Sequence, residues 1–184
     1  MLDSVIKLTE KFAELLRYRE ERRARWFREI VNPTYQSLKT VHKDYLHSFQ
    51  GLLKDVEAGQ DLSSAAERFE QRRLSEESER QAIASLAREL ANDSKLDAYR
   101  TYFDAVIDYF GRAPFSRSTT PSSMLRGAVL RILESSSIEL SVESTQERKR
   151  QELIAATNMA LESLRENWET VSRRYAKALA ASIL

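Results

Sequence analysis

The chain has 184 residues, with 29 basic and 28 acidic side chains, a formal net charge of +1 and no cysteine. This balance excludes a strong overall field towards nucleic acid or an anionic bilayer, so any electrostatic function must be local. The lack of cysteine excludes disulfides and thiolate chemistry and favours a cytoplasmic location.

Helix-breaking residues are few, because only four glycines and three prolines interrupt the chain. A fold of many short strands needs more turn-forming residues than this. We therefore predict an all-α fold, a bundle of five or six helices with long, coiled-coil-like second and final helices. One domain is expected over residues 1–184, with a flexible connector near 112–121, and no stretch approaches the roughly 20 apolar residues of a membrane-spanning helix.

The first predicted helix covers residues 2–31, and Asn32 and Pro33 are expected to end or kink it. Asparagine is a favoured N-cap and proline is tolerated at the first helical position, so this pair predicts the start of a second helix. The second helix is expected to end near Gly59. Its apolar and aromatic residues recur in steps of three and four, a coiled-coil-like pattern: Tyr35, Leu38, His42, Tyr45, Phe49, Leu52 and Val56.

Three shorter helices are predicted in the middle of the chain. Asp61 or Ser64 is expected to cap the third helix, and the polar run around Ser75 predicts a break. The fourth helix is expected to start at residues 92–94 and to end at Gly111. Pro121 is expected to open the fifth helix, which loses its pattern in a serine run at 135–137. The predicted inner face of the fourth helix consists of Leu96, Tyr99, Phe103, Val106, Ile107 and Phe110.

The final predicted helix begins at Ser144 and extends for about 40 residues, or about 60 Å. Shorter helices are not expected to cover its whole apolar seam, so part of it is expected to meet another chain. We predict a homo-oligomer or a complex with another helical protein. The candidate partner-binding residues of the seam are Trp168, Val171, Tyr175 and Leu179.

Residues 17–28 contain six arginines together with two glutamates and three aromatic residues. Such a mixture is typical of segments that contact phosphates and stack on bases. Helical spacing disperses these arginines and the glutamates pair with them, which favours a solvated charged face. We add Arg22, Arg23, Arg25 and Arg28 to the candidate partner-binding residues. A nucleic-acid-binding protein and a membrane-surface helical scaffold are the alternatives.

The two histidines, His42 and His47, lie about 140° apart around a helix and so do not form a shared metal site. His42 falls on the apolar seam, which predicts a core histidine bonded to a tyrosine or carboxylate; a buried general base or pH switch is the alternative. No spacing indicates a catalytic triad, a phosphate loop or a di-iron site. We predict a non-enzymatic helical module for protein–protein interaction or assembly, with no cofactor and no metal.

Overall fold

A computed structural model of the chain describes residues 5–8, 10–11, 23–75, 77–111, 121–135 and 143–183. All regular elements within these ranges are helical, which confirms the all-α fold. The second and final helices are long, as predicted. The elements are α1 (Arg23–Trp26), a π-helical turn π1 (Phe27–Val31), α2 (Asn32–Glu57), α3 (Leu62–Ser75), α4 (Glu77–Asn92), a 3₁₀-helix (Ser94–Tyr99), α5 (Arg100–Phe110), α6 (Pro121–Ser135) and α7 (Glu143–Ile183).

The chain divides into two compact units, each built from segments that are distant in sequence. The first unit contains Met1–Lys43, Glu77–Pro114 and Glu166–Leu184, and the second contains Asp44–Glu76 and Phe115–Arg165. Helices α2 and α7 contribute residues to both. A single domain over residues 1–184 stays a prediction, and most of its expected connector lies outside the described residues. Among the described helices, none combines the length and apolarity needed to cross a membrane.

The second α-helix begins at Asn32, but the predicted N-cap role of this residue is wrong, because the helical backbone continues through it. Asn32 is itself helical, with φ −64° and ψ −48°, and its N–H donates to the carbonyl of Phe27, five residues earlier. Pro33 has no N–H to donate to the carbonyl of Glu29, and its ring would crowd that carbonyl in a regular α-helix. The wider turn of π1 accommodates this defect. One helical segment therefore extends from residue 23 to residue 57.

The inner face of α5 differs from the predicted face by part of a turn. Ile107 and Phe110 are half-buried, whereas Tyr102 and Tyr109 are buried. The reason is the 3₁₀-helix before α5, in which residues three apart lie above one another. Over the same six residues, the side-chain directions of a regular α-helix rotate around the axis by a different angle. The prediction therefore placed the wrong side chains of α5 on its inner face. The buried residues of this region are Leu96, Tyr99, Tyr102, Phe103, Ala105, Val106 and Tyr109.

The core of the second unit joins α2, α3, α6 and α7 residues. Asp61 caps α3, since its carboxylate accepts the N–H of Ser64 at 2.8 Å; the alternative cap, Ser64, is wrong. This hydrogen bond lowers the pKa of Asp61. Helix α6 begins at Pro121, as predicted. The larger buried side chains are Phe49, Leu52, Val56, Leu62, Phe69, Leu125, Val129, Ile132, Leu153, Leu161 and Leu164.

The carboxyl end of α2 is closed by a glycine and an arginine. Gly59 has φ 76°, a conformation that glycine adopts at little cost, and its N–H donates to the carbonyl of Val56. The guanidinium of Arg150 also donates to the carbonyl of Val56, and to that of Gln60 at 3.3 Å. Arg150 therefore adds hydrogen bonds to one backbone carbonyl in the last turn of α2 and to one in the turn that follows it.

Candidate functional site

The two groups of candidate partner-binding residues meet in the first unit. Turn π1 packs against the carboxyl-terminal part of α7, where the rings of Phe27 and Tyr175 have centroids 5.5 Å apart. The hydroxyl of Tyr175 donates to Oδ1 of Asn32 at 2.8 Å, across 143 residues of sequence. The arginine-bearing segment and the carboxyl-terminal part of α7 therefore pack against each other in the first unit.

A column of stacked aromatic rings joins α2 to α7. The rings of His42, Trp168, Tyr35 and Tyr175 stack in that order, with successive centroids 4.5, 5.4 and 3.8 Å apart and interplanar angles of 10°, 18° and 9°. The two rings from α2 and the two from α7 are each seven residues apart, so they alternate along the column. Their order shows that α2 and α7 are antiparallel within the first unit.

The four candidate residues of α7 differ in exposure. Trp168 and Tyr175 are half-buried within the column, and Val171 is completely buried. Leu179 is 41% exposed. Three of the four thus pack inside the first unit, and Leu179 is the one that is exposed. Partner binding by these residues stays a prediction.

In residues 23–28, the described part of the arginine segment, the arginines are exposed and the two aromatic rings are buried; Tyr18 lies outside the described residues. Arg23, Arg25 and Arg28 are exposed, and Arg25 pairs with Glu29 at 3.2 Å; Arg22 lies outside the described residues. The aromatic neighbours of these arginines, Trp26 and Phe27, are only 5% and 6% exposed. They face the core and are not placed to stack on bases, contrary to the expectation that led to the nucleic-acid alternative.

Three further cations, which the sequence analysis did not single out, lie on the same part of α7. Arg173, Arg174 and Lys177 are exposed, and no acidic residue occurs between positions 170 and 183. Tyr175, which lies between these cations in the sequence, contacts Phe27. This part of α7 therefore lies beside the arginine segment. The charge pattern of the sequence already contains these three cations. Their position beside the arginine segment could be recognised only from the register in which α2 and α7 pack. We call the six side chains Arg23, Arg25, Arg28, Arg173, Arg174 and Lys177 the cationic end.

His42 is a core histidine, as its seam position predicts. It is 6% exposed, its Nδ1 is hydrogen-bonded to the hydroxyl of Tyr109 at 3.0 Å, and its ring stacks on Trp168. Burial lowers the pKa of His42 to about 4, so the imidazole is neutral at pH 7. His42 thereby links α2 to α5 and α7, whereas His47 is exposed. Within the described ranges, no three His, Asp or Glu residues are grouped to hold a metal ion.

This burial predicts acid sensitivity. A histidine has a pKa near 6.5 when unfolded and about 4 here, so between these values the unfolded chain binds more protons. Stability should therefore fall as the pH falls, by about 2 to 3 kcal/mol between pH 7 and pH 4.5. Urea unfolding at both pH values measures this. His42→Gln should remove that part of the pH dependence and His47→Gln should retain it; equal pH dependence in both variants would contradict the assignment to His42.

An open polar cavity of about 330 Å³ lies elsewhere in the first unit, where α4 ends and the 3₁₀-helix begins. Its charged residues are Asp93, Asp97 and Arg100. The carboxylate of Asp93 accepts the N–H of Lys95 at 2.8 Å as the N-cap, and Asp97 lies 4.0 Å from Arg100. Asp93 therefore caps the 3₁₀-helix, and Asp97 and Arg100 form a surface pair.

The arrangement as a whole is suited to binding by charge and shape. Exposed cations occur on residues 23–28 and on the carboxyl-terminal part of α7, the aromatic column packs α2 against α7, and Leu179 is an exposed apolar side chain. Arginines and apolar side chains in this combination are typical of protein interfaces. Comparisons with protein families, curated proteins and solved structures found no match for this chain.

Proposed function

We propose that this chain is a non-enzymatic helical module for protein–protein interaction or assembly, and that it binds through the cationic end together with Leu179. The contact between Phe27 and Tyr175 carries the proposal, because it joins two candidate surfaces that are distant in sequence. A cytoplasmic location, favoured by the lack of cysteine, belongs to the same proposal.

The packing beneath the surface supports a binding role. The stacked rings of Tyr35 and Tyr175, and the hydrogen bond from Tyr175 to Asn32, hold α7 against the segment that bears the arginines. A surface held in its binding conformation loses little conformational entropy when a partner binds. The partner is a second copy of the chain or a different helical protein.

Site-specific crosslinking tests the proposal. A photoreactive amino acid replaces Leu179 in the full chain, produced in its native host, and covalent adducts are identified by mass spectrometry. Leu74 of α3, which is 57% exposed, is the matched control position. We expect a defined protein adduct from position 179 and none from position 74.

Light scattering at micromolar concentration accompanies the crosslinking. A mass above that of one 21.3 kDa chain that Leu179→Glu reduces would identify self-association. A single-chain mass, combined with no more adduct at position 179 than at position 74, would contradict an interaction function for this surface.

A further inference from the structure

Beyond a binding role, we infer that the first unit contains a site of one-electron oxidation, at which Tyr109 gives an electron to Trp168 and its phenolic proton to His42. The co-reactant is a small one-electron oxidant in solution. The inference follows from the order in which oxidisable rings lie in the first unit and from the hydrogen-bond partner of each tyrosine hydroxyl.

The aromatic rings form a path from the surface of the first unit to its core. Trp168 is half-buried, so solvent reaches part of the indole. The ring of Tyr109 is only 8% exposed and meets that indole edge-on, with centroids 6.4 Å apart. In a chain without cysteine, indole and phenol rings give up a single electron most readily. An oxidant that takes an electron from Trp168 therefore leaves it next to a buried electron donor.

A base at the phenol determines which ring retains the oxidation. Nδ1 of His42 lies 3.0 Å from the hydroxyl of Tyr109. Burial lowers the pKa of His42 to about 4, so the imidazole is neutral at pH 7. In the tautomer that carries its proton on Nε2, Nδ1 accepts the hydrogen bond from Tyr109 and is placed to take the proton. An oxidised phenol is a far stronger acid than an imidazolium with this pKa, so the proton transfer is favourable.

The other described tyrosines of the first unit have no such base among their described contacts. Their hydroxyls are hydrogen-bonded to a hydroxyl, an amide oxygen or a peptide carbonyl, or have no hydrogen-bond partner within the described residues: Tyr35 with Ser172, Tyr175 with Asn32, Tyr99 with Arg23, and Tyr102. These oxygen atoms do not take up a proton at neutral pH. Tyr35 stacks directly on Trp168 but is not placed to lose its proton, whereas Tyr109 is.

The reaction moves one electron and one proton within the first unit. The oxidant removes one electron from Trp168 and leaves an indole radical cation. Tyr109 then gives one electron to Trp168, while its O–H bond breaks and the proton forms an N–H bond at Nδ1 of His42. The products are the reduced oxidant, a neutral phenoxyl radical at Tyr109 and an imidazolium at His42. One electron from a small reductant in solution, with return of the proton, restores the starting state.

Pulse radiolysis of the full chain tests the inference. The probe is the azide radical, a one-electron oxidant that reacts readily with indole side chains. Transient absorption distinguishes the tryptophan radical from the phenoxyl radical. We expect the tryptophan radical to disappear as a phenoxyl radical forms, at a rate that does not depend on protein concentration, because both rings belong to one chain. Heavy water should slow this conversion, since an O–H bond breaks in the same step.

Matched variants locate the site of the phenoxyl radical. Tyr109→Phe keeps the ring but removes the hydroxyl, and it should abolish phenoxyl formation and prolong the life of the tryptophan radical. Tyr35→Phe removes the hydroxyl of the ring that stacks on Trp168 and should leave the conversion unchanged. His42→Gln should slow the conversion, because an amide does not accept the proton. Circular dichroism checks that each variant remains helical.

Three results would overturn the inference. The first is decay of the tryptophan radical in the unaltered chain without formation of a phenoxyl radical. The second is loss of phenoxyl formation in Tyr35→Phe that equals or exceeds the loss in Tyr109→Phe. The third is an equal rate in ordinary and heavy water, which would mean that no proton moves with the electron. None of these results bears on the proposed interaction function, which is tested separately at position 179.

Discussion

Replacing Trp168 by alanine is expected to lower the free energy of unfolding by about 3 to 5 kcal/mol, the usual loss for a large aromatic side chain in a packed site. The indole is the second ring of the aromatic column, with His42 on one face and Tyr35 on the other. The ring of Tyr109 meets it edge-on at 6.4 Å. Removing the indole therefore leaves three aromatic neighbours without their contact.

Urea denaturation followed by circular dichroism measures this loss. Trp168→Phe keeps a ring in the column and should cost much less than the alanine variant. Arg165→Ala, an exposed position on the same helix, is the control for the effect of substitution in α7. An unchanged midpoint for Trp168→Ala would mean that the column does not contribute to stability.

Phe49→Ala is expected to have an effect of the same size, about 3 to 5 kcal/mol, in the second unit. Phe49 is 7% exposed, and its ring lies 5.5 Å from that of Phe69 and 5.9 Å from that of Tyr45. Alanine would leave a cavity between α2 and α3 that the surrounding helices fill only in part.

Thermal and urea unfolding of Phe49→Ala test this expectation beside Gln50→Ala, a change at the adjacent exposed position. The control should shift stability by less than about 0.5 kcal/mol. If the two variants lost equal stability, the apolar seam of α2 would have been assigned to the wrong face.

Much of the helical architecture follows from local patterns. The spacing of Tyr35 and His42, and that of Trp168 and Tyr175, predicted one face of each long helix, and these faces form the aromatic column. The turn at Gly59 follows the end of α2 near the predicted position, because glycine, which has no Cβ, adopts a positive φ at little cost. The burial of His42 also followed from its place on the seam, and its partner Tyr109 is one of the two kinds expected, a tyrosine or a carboxylate.

Two local features were missed because they depend on departures from regular α-helical geometry. The π turn before Pro33 carries the helix through a position where capping rules predict a start. The 3₁₀-helix before α5 changes which of its side chains face inwards and so buries Tyr102 and Tyr109. In both features the backbone hydrogen bonds join residues at a spacing other than the four residues of an α-helix. The periodicity of the side chains alone gives little information about such a change.

The sequence by itself determined the all-α fold, the long second and final helices, and the residues on their apolar seams, because these depend on interactions between residues three or four positions apart. Only the tertiary structure decided that Phe27 lies against Tyr175, so that residues 23–31 are neighbours of the carboxyl-terminal part of α7, and that Trp26 is buried. Those contacts depend on the register in which α2 and α7 pack, and that register is chosen by the fit of side chains from distant segments.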